Sequence, residues 1–170
     1  MPPELRARFE EIVRLHAGDL FRFAFWLARD RQRAEDVVQE AWLRGWRNFP
    51  ALQDPTAVKS WLFAIVRNEF HRSLAREGPP TDDLDGAVLE LADERAGPAA
   101  LEMRDALMAL PPTYAEPLAL QVLGGFSCAE IAAMLGTTEG AIMTRLTRAR
   151  QALRRLIEPL PMCERHGGRA

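Results

Sequence analysis

Cysteine is scarce: Cys128 and Cys163 are the two in a chain of 170 residues. Two thiols so far apart do not make the disulfide framework of a small secreted domain. Long apolar runs are missing as well. No segment reaches the roughly 18 to 20 uninterrupted apolar residues of a membrane span, and the opening MPPELRARFEE has no apolar signal core. The expectation is a cytoplasmic chain without membrane insertion. Signatures of catalysis are also absent: no Gly-rich phosphate loop, no metal-spaced His/Asp set, no Ser/His/Asp arrangement. The chain is therefore expected not to be an enzyme and to need no cofactor and no metal. Cys163 and His166 form C-x-x-H, but a zinc site takes about four ligands, so the pair reads as incidental in a tail. No strand alternation persists beyond a few residues, which leaves helices.

Excess charge is lacking too. The formal net charge is −2, which at first argues against nucleic acid. The charge is unevenly placed, however. Residues 1–76 carry 13 basic and 10 acidic side chains. Residues 77–98 carry Glu77, Asp82, Asp83, Asp85, Glu90, Asp93 and Glu94 against Arg95 alone, framed by Gly-Pro pairs. That is a linker composition. An acidic middle separates two basic ends, and this asymmetry says more than the total.

What is present is a helix-turn-helix outline over residues 127–155. Ser127 and Glu130 have the spacing of a capping box. Ile131, Ala132 and Leu135 continue a short apolar helix, and Gly136 suits its left-handed end. Thr137 and Thr138 can cap a second helix, which carries Arg145, Arg148, Arg150, Arg154 and Arg155 with no acid between Arg145 and Arg155. A solvated helix usually mixes signs to gain i,i+4 pairs, whereas a single-sign face suits phosphates. Small residues at Ala132, Ala133 and Ala141 allow two helices to cross closely.

The first half reads as a helical bundle. Residues 5–16 and 20–29 read as a first and second helix, 33–49 as a third and 57–76 as a fourth, with Pro50 and Pro55 bracketing a loop. On the third helix, Val38, Ala41, Trp42, Gly45, Trp46 and Phe49 share a face fit for the core. Asp36, Glu40, Leu43 and Arg47 share another, with Gln39 beside it. From composition alone that second face is a solvated surface with one stray leucine; an apolar residue ringed by polar ones is also how an interface anchor looks. On the fourth helix, Lys59, Phe63 and Arg67 lie four apart, with Ser60, Asn68, His71 and Arg72 nearby. A basic stripe interleaved with an aromatic suits single-stranded nucleic acid. Phe63 fits a core position equally well. Beyond the linker, helices are expected over 99–110 and 113–123, broken by Pro111 and Pro112, so the second unit holds about four helices.

Taken together, DVVQEAWLRGWRNF (36–49), SWLFAIVRNEFHRSLAR (60–76) and LPPTYAEPLALQVLGGFSCAEIAAMLGTTEGAIMTRLTRARQALRRL (110–156) resemble bacterial sigma factors. The order and spacing are similar to the extracytoplasmic-function group of the sigma-70 family. The resemblance implies an all-α fold with two small helical domains, an N-terminal bundle (1–76) and a C-terminal helix-turn-helix domain (99–160), joined by an acidic flexible linker (77–98) and followed by a tail (161–170). It implies an RNA polymerase sigma factor that directs promoter-specific initiation. Its partners would be core RNA polymerase, through the clamp and flap regions of the two large subunits, promoter DNA, and an anti-sigma factor. Asp36, Gln39, Glu40, Leu43 and Arg47 would bind core polymerase. Lys59, Phe63, Arg67, Asn68 and His71, with the loop Phe49–Thr56, would meet the −10 element, where a base is flipped from the melted strand. Ala141, Met143, Thr144, Arg145 and Arg148 would face the −35 element. The chain departs from the family at Met143, where a basic residue is common, at Ala141, often Thr, and at His71–Arg72, where an acid often stands. Glu139 adds an acid at the reading end of the helix, which repels phosphate unless it accepts from a cytosine amino group. The alternative is a helix-turn-helix regulator acting without core polymerase; it leaves the 36–47 face and the acidic linker without a purpose.

Overall fold

Arg29 and Asp30 make the first decisive turn of the chain. Arg29 is left-handed at φ 53° and its N–H donates to the Phe25 carbonyl at 2.8 Å, closing the helix before it. Asp30 then accepts from the Arg33 N–H at 2.6 Å and caps the next helix. A computed structural model describes residues 2–77, 103 and 105–157, and everything below concerns those residues. The expected linker from residue 78, residues 99–102 of the first expected helix beyond it, and the tail with Cys163 and His166 lie outside them.

Six helices are complete: α1 (Pro3–Ala28), α2 (Arg31–Asn48), α3 (Val58–Glu77), α4 (Pro112–Gly124), α5 (Cys128–Leu135) and α6 (Glu139–Ile157). Short 3₁₀ turns at Phe49–Ala51 and Pro55–Ala57 connect α2 to α3. Residues 105–108 are also helical. Among the described residues there is no strand, and the all-α expectation stands.

The N-terminal helices differ from expectation in one respect. Residues 5–16 and 20–29 are not two helices but parts of one, α1. Buried Phe9, Ile12, Leu20, Phe23 and Ala24 continue one apolar stripe through the apparent gap. Gly18 costs a helix only about 1 kcal/mol relative to Ala, less than the stripe gains by staying continuous.

α1, α2 and α3 pack as a three-helix unit. Ala34, Val37, Ala41 and Gly45 form the buried side of α2, and Leu62, Phe63, Ile65, Val66 and Phe70 that of α3. Phe9 meets Trp42, Trp46 and Phe49 edge to face at centroid distances of 5.9, 5.3 and 5.3 Å, a favourable aromatic arrangement. Trp42 and Trp46 are partly buried against this core, as the face analysis expects. Glu69, only 4% exposed, pairs with Arg44 of α2 at 2.5 Å and with Arg72 at 2.9 Å. The two arginines compensate its burial and tie α2 to α3.

α4, α5 and α6 form the second unit, with Ile131, Ile142 and Leu146 fully buried between them. The capping box is made: Ser127 Oγ accepts from the Glu130 N–H at 3.3 Å, and the Glu130 carboxylate accepts from the Ser127 N–H at 2.8 Å. These bonds, from the backbone first and the Ser127 hydroxyl second, hold the Glu130 carboxyl below its ordinary range. Gly136 ends α5 at φ 63°, and Thr138 Oγ1 accepts from the Ala141 N–H at 3.2 Å to start α6. The second unit leans on the first, with α4 against α1 and α5 against α3.

Candidate functional site

Three surfaces carry the residues singled out by sequence. The first is the outer side of α2. Asp36, Gln39, Glu40, Leu43 and Arg47 are all exposed there, opposite the buried Ala34–Val37–Ala41–Gly45 side. Leu43 is 45% exposed although large and apolar. Its neighbours are polar, so the face presents an apolar centre with a charged rim, the anatomy of an interface patch. Arg44 stands next to this face and is fixed from below by Glu69. Sequence patterning gives Glu69 no role; its signal is an acid embedded in the apolar side of a helix.

The second surface is a stripe of α3. Lys59, Phe63, Arg67 and His71 follow one another four residues apart, while exposed Asn68 sits on the adjoining side. The structure settles what fills the neighbourhood of Phe63. The ring is 0% exposed, stacked between Phe23 at 5.1 Å and Phe126 of the second unit at 5.0 Å and 85°. Arg67 Nε donates to Glu116 Oε1 of α4 at 2.6 Å, and His71 Nε2 lies 3.7 Å from the same oxygen. The Lys59 ammonium stands 5.5 Å from the centroid of the Phe126 ring, a cation–π distance. In this closed arrangement, then, Lys59, Phe63 and Arg67 face protein, while His71 is exposed at the edge beside Glu116. Two things escape sequence reasoning here. Glu116 is the one acid in α4, and Phe126 follows a left-handed glycine; both are signals of contact beyond their own helix.

Phe126 owes its place to a left-handed helix end. Gly125 is left-handed at φ 69°, its N–H donates to the Gln121 carbonyl at 3.0 Å, and the Phe126 N–H donates to the Leu120 carbonyl at 3.4 Å. The ring folds back over Gly124 so closely that a Cβ there would lie 2.4 Å from it. Only glycine leaves that room.

The third surface is the outer side of α6. Met143, Thr144 and Arg148 are exposed, Ala141 and Arg145 partly so, and Ile142, Leu146 and Ala149 face the core. Met143 is 56% exposed. The Thr144 hydroxyl donates to the Gly140 carbonyl at 3.0 Å, which turns its lone pairs outward as acceptors. Arg150, counted from the sequence with the free basic face, instead reaches back to Gln121 Oε1 at 2.7 Å and braces α6 against α4. No group of three or more His, Cys, Asp or Glu that could hold a metal occurs among the described residues. Cys128, at the first turn of α5, is half-buried and packed against the core. No helix among the described residues is long and apolar enough to cross a membrane.

Comparison with known proteins bears on the chain as a whole. Sigma-70 region 2 matches residues 12–79, and Sigma-70, region 4 matches residues 100–153. The ECF RNA polymerase sigma factor EcfG of Rhodopseudomonas palustris (strain TIE-1) is 34% identical over 139 residues, 79% of this chain and 77% of its own length. The ECF RNA polymerase sigma factor SigM of Mycobacterium tuberculosis is 34% identical over 157 residues, covering 89% of this chain and 78% of that one. Among solved structures, the sigma factor RpoE in complex with the anti-sigma factor NepR from Bartonella quintana superimposes with a TM-score of 0.74 at 26% identity, over 88% of this chain and 96% of that one. CnrH in complex with the cytosolic domain of CnrY gives a TM-score of 0.67 at 25% identity, over 89% and 88%. The chain belongs to the extracytoplasmic-function group of the sigma-70 family and is an RNA polymerase sigma factor.

Proposed function

We propose that the three surfaces divide the work of promoter opening. The outer side of α2, with Asp36, Gln39, Glu40, Leu43 and Arg47, docks on the clamp of core polymerase. The stripe of α3, with Lys59, Phe63, Arg67, Asn68 and His71, meets the −10 element together with the preceding loop. The outer side of α6, with Ala141, Met143, Thr144, Arg145 and Arg148, meets the −35 element. In this division residues 1–76 bind polymerase and open the duplex, and residues 99–160 fix the upstream position. The chain performs no reaction of its own and works in the cytoplasm. Because RpoE and CnrH were each solved with an anti-sigma partner, a partner of that kind belongs in the proposal.

The observation that carries this reading is the half-exposed Leu43 at the centre of the α2 polar face. A helix-turn-helix regulator acting alone has no use for a prepared docking face on its other domain. The energetic logic is one of exchange. Extruding a base costs a few kcal/mol, and stacking with pocket contacts offsets it. Polymerase binding brings α3 to the right phosphates, so the chain itself needs no strong positive field, in keeping with its net charge of −2.

Run-off transcription with purified core polymerase tests the reading. Promoter-dependent transcripts that vanish when the chain is omitted support it. Duplex binding by the chain without any transcript would instead favour the lone regulator.

A further inference from the structure

We propose that the chain carries an internal latch, in which Glu116 occupies the cationic stripe of α3 as a stand-in for a DNA phosphate and thereby shuts the −10 surface in the free protein. The inference rests on the assignment of that stripe made above. Its geometry is that of an anion site already filled. One carboxylate oxygen of Glu116 takes the Arg67 Nε–H at 2.6 Å and lies 3.7 Å from His71 Nε2. A phosphate oxygen is taken by cationic donors in the same way. The rest of α4 is uncharged, so Glu116 has no counter-ion within its own helix and is matched only from across the domain boundary.

The aromatic part of the stripe is occupied too. Phe126 covers Phe63 edge to face and sits beneath the Lys59 ammonium. A base and its phosphate would need those groups, the ring to stack on and the cation to pair with. One residue before Glu116, the Ala115 carbonyl accepts from the Trp26 indole N–H at 3.2 Å, which sets α4 in register on α1. The Lys59 charge also acts on Glu130 of α5, a further attraction across the boundary.

This contact is built to open. The Arg67 and Glu116 side chains remain 24% and 18% exposed, so salt and competing anions reach them. Beside them lies a crevice of about 600 Å³, bordered by Trp26, His71, Leu110, Ala115 and Glu116. The Arg67–Glu116 pair, the Phe126 edge and the Trp26 indole bond form a polar rim beside that crevice, next to Ala115, Leu118 and Ala119 buried in the core that the two units share. A denser array of phosphates can compete for that rim.

Glu116→Gln keeps the shape and removes the charge; Glu10→Gln, at an exposed acid of α1, matches the change in net charge. The probes are small-angle scattering of the free chain and binding of a short mixed-sequence single-stranded DNA. Glu116→Gln is expected to enlarge the radius of gyration and to tighten DNA binding roughly three- to ten-fold over Glu10→Gln, the scale of one part-buried ion pair. Gly124→Ala, which displaces Phe126 without touching charge, is expected to move both readouts the same way. An unchanged radius of gyration in Glu116→Gln, or a DNA affinity equal to that of Glu10→Gln, overturns the latch. Failure of the promoter reading shows separately, as a wild-type chain that yields no run-off transcript.

Discussion

Replacing Gly124 by alanine sets two effects of opposite sign against each other. Alanine is the better helix former, and by propensity alone the change stabilises by up to about 1 kcal/mol. The added Cβ, however, would lie 2.4 and 2.5 Å from two carbons of the Phe126 ring, where non-bonded carbons rest at about 3.5–4.0 Å. The ring is held from the other side by Phe63 and from its own backbone by the left-handed Gly125. It can shift only by giving up its contact with Phe63. Overpacking of this kind costs about 1–3 kcal/mol, so the net expectation is a loss of about 1–2 kcal/mol. For a chain of this size that is a fall in Tm of roughly 2–8 °C. Differential scanning calorimetry of both proteins measures it. The double variant Gly124→Ala with Phe126→Leu should recover part of the loss, because the shorter side chain makes room; coupling of that sign marks a direct contact. A Tm for Gly124→Ala at or above that of the wild type would refute the reasoning, since it would mean that helix propensity decides and the ring is not wedged.

Asp36→Arg combined with Leu43→Glu should weaken binding to core polymerase by at least about 30-fold, the scale of losing an interface anchor, with circular dichroism unchanged; undiminished core affinity would remove α2 from the docking role. Glu69→Ala should destabilise by about 1–2 kcal/mol in denaturant titration, less than a fully buried pair would, because Arg44 and Arg72 are about half exposed and regain water. Arg148→Ala should weaken binding to a −35 duplex and lower the slope of log affinity against log salt by about one if it contacts a phosphate; an unaltered slope excludes that contact. His16 is disfavoured in its charged form, first by burial and then by Lys59, with Asp19 opposing. Its folded pKa lies below its unfolded value, so the stabilising contribution is complete above about pH 6.5 and is lost as pH falls. Wild type should therefore lose stability relative to His16→Gln between pH 7.5 and 5.5, and parallel Tm curves would exclude the effect.

Local signals in the sequence were sufficient wherever chemistry and geometry are local. Ser127, Glu130, Gly136 and Thr138 cap where their spacing predicts, because a cap is settled within four residues. The two faces of α2 are likewise legible, since each is a periodic stripe on one helix. The break expected between residues 16 and 20 failed for the same physical reason in reverse: a glycine is a weak stop when the apolar stripe runs through it. What sequence could not supply is the meeting of α3 with the second unit. Arg67 and Glu116 are 49 residues apart, and nothing in either helix says that one faces the other. Phe63 was therefore open to two readings, stacking platform or core ring. In the closed chain it is a ring within the core, and whether it also meets a base depends on whether the second unit withdraws.

α1 is 26 residues long, about 39 Å at 1.5 Å per residue, and it serves two masters. Its first half anchors Phe9 among Trp42, Trp46 and Phe49; its last turns carry Phe23 and Trp26, where the second unit rests. One rod thus has a permanent end and a negotiable end. Amide hydrogens near Phe9 should report the stability of the bundle, whereas those near Trp26 should report how often the two halves part. A single helix would then serve as its own internal reference, separating the unfolding of the protein from its opening.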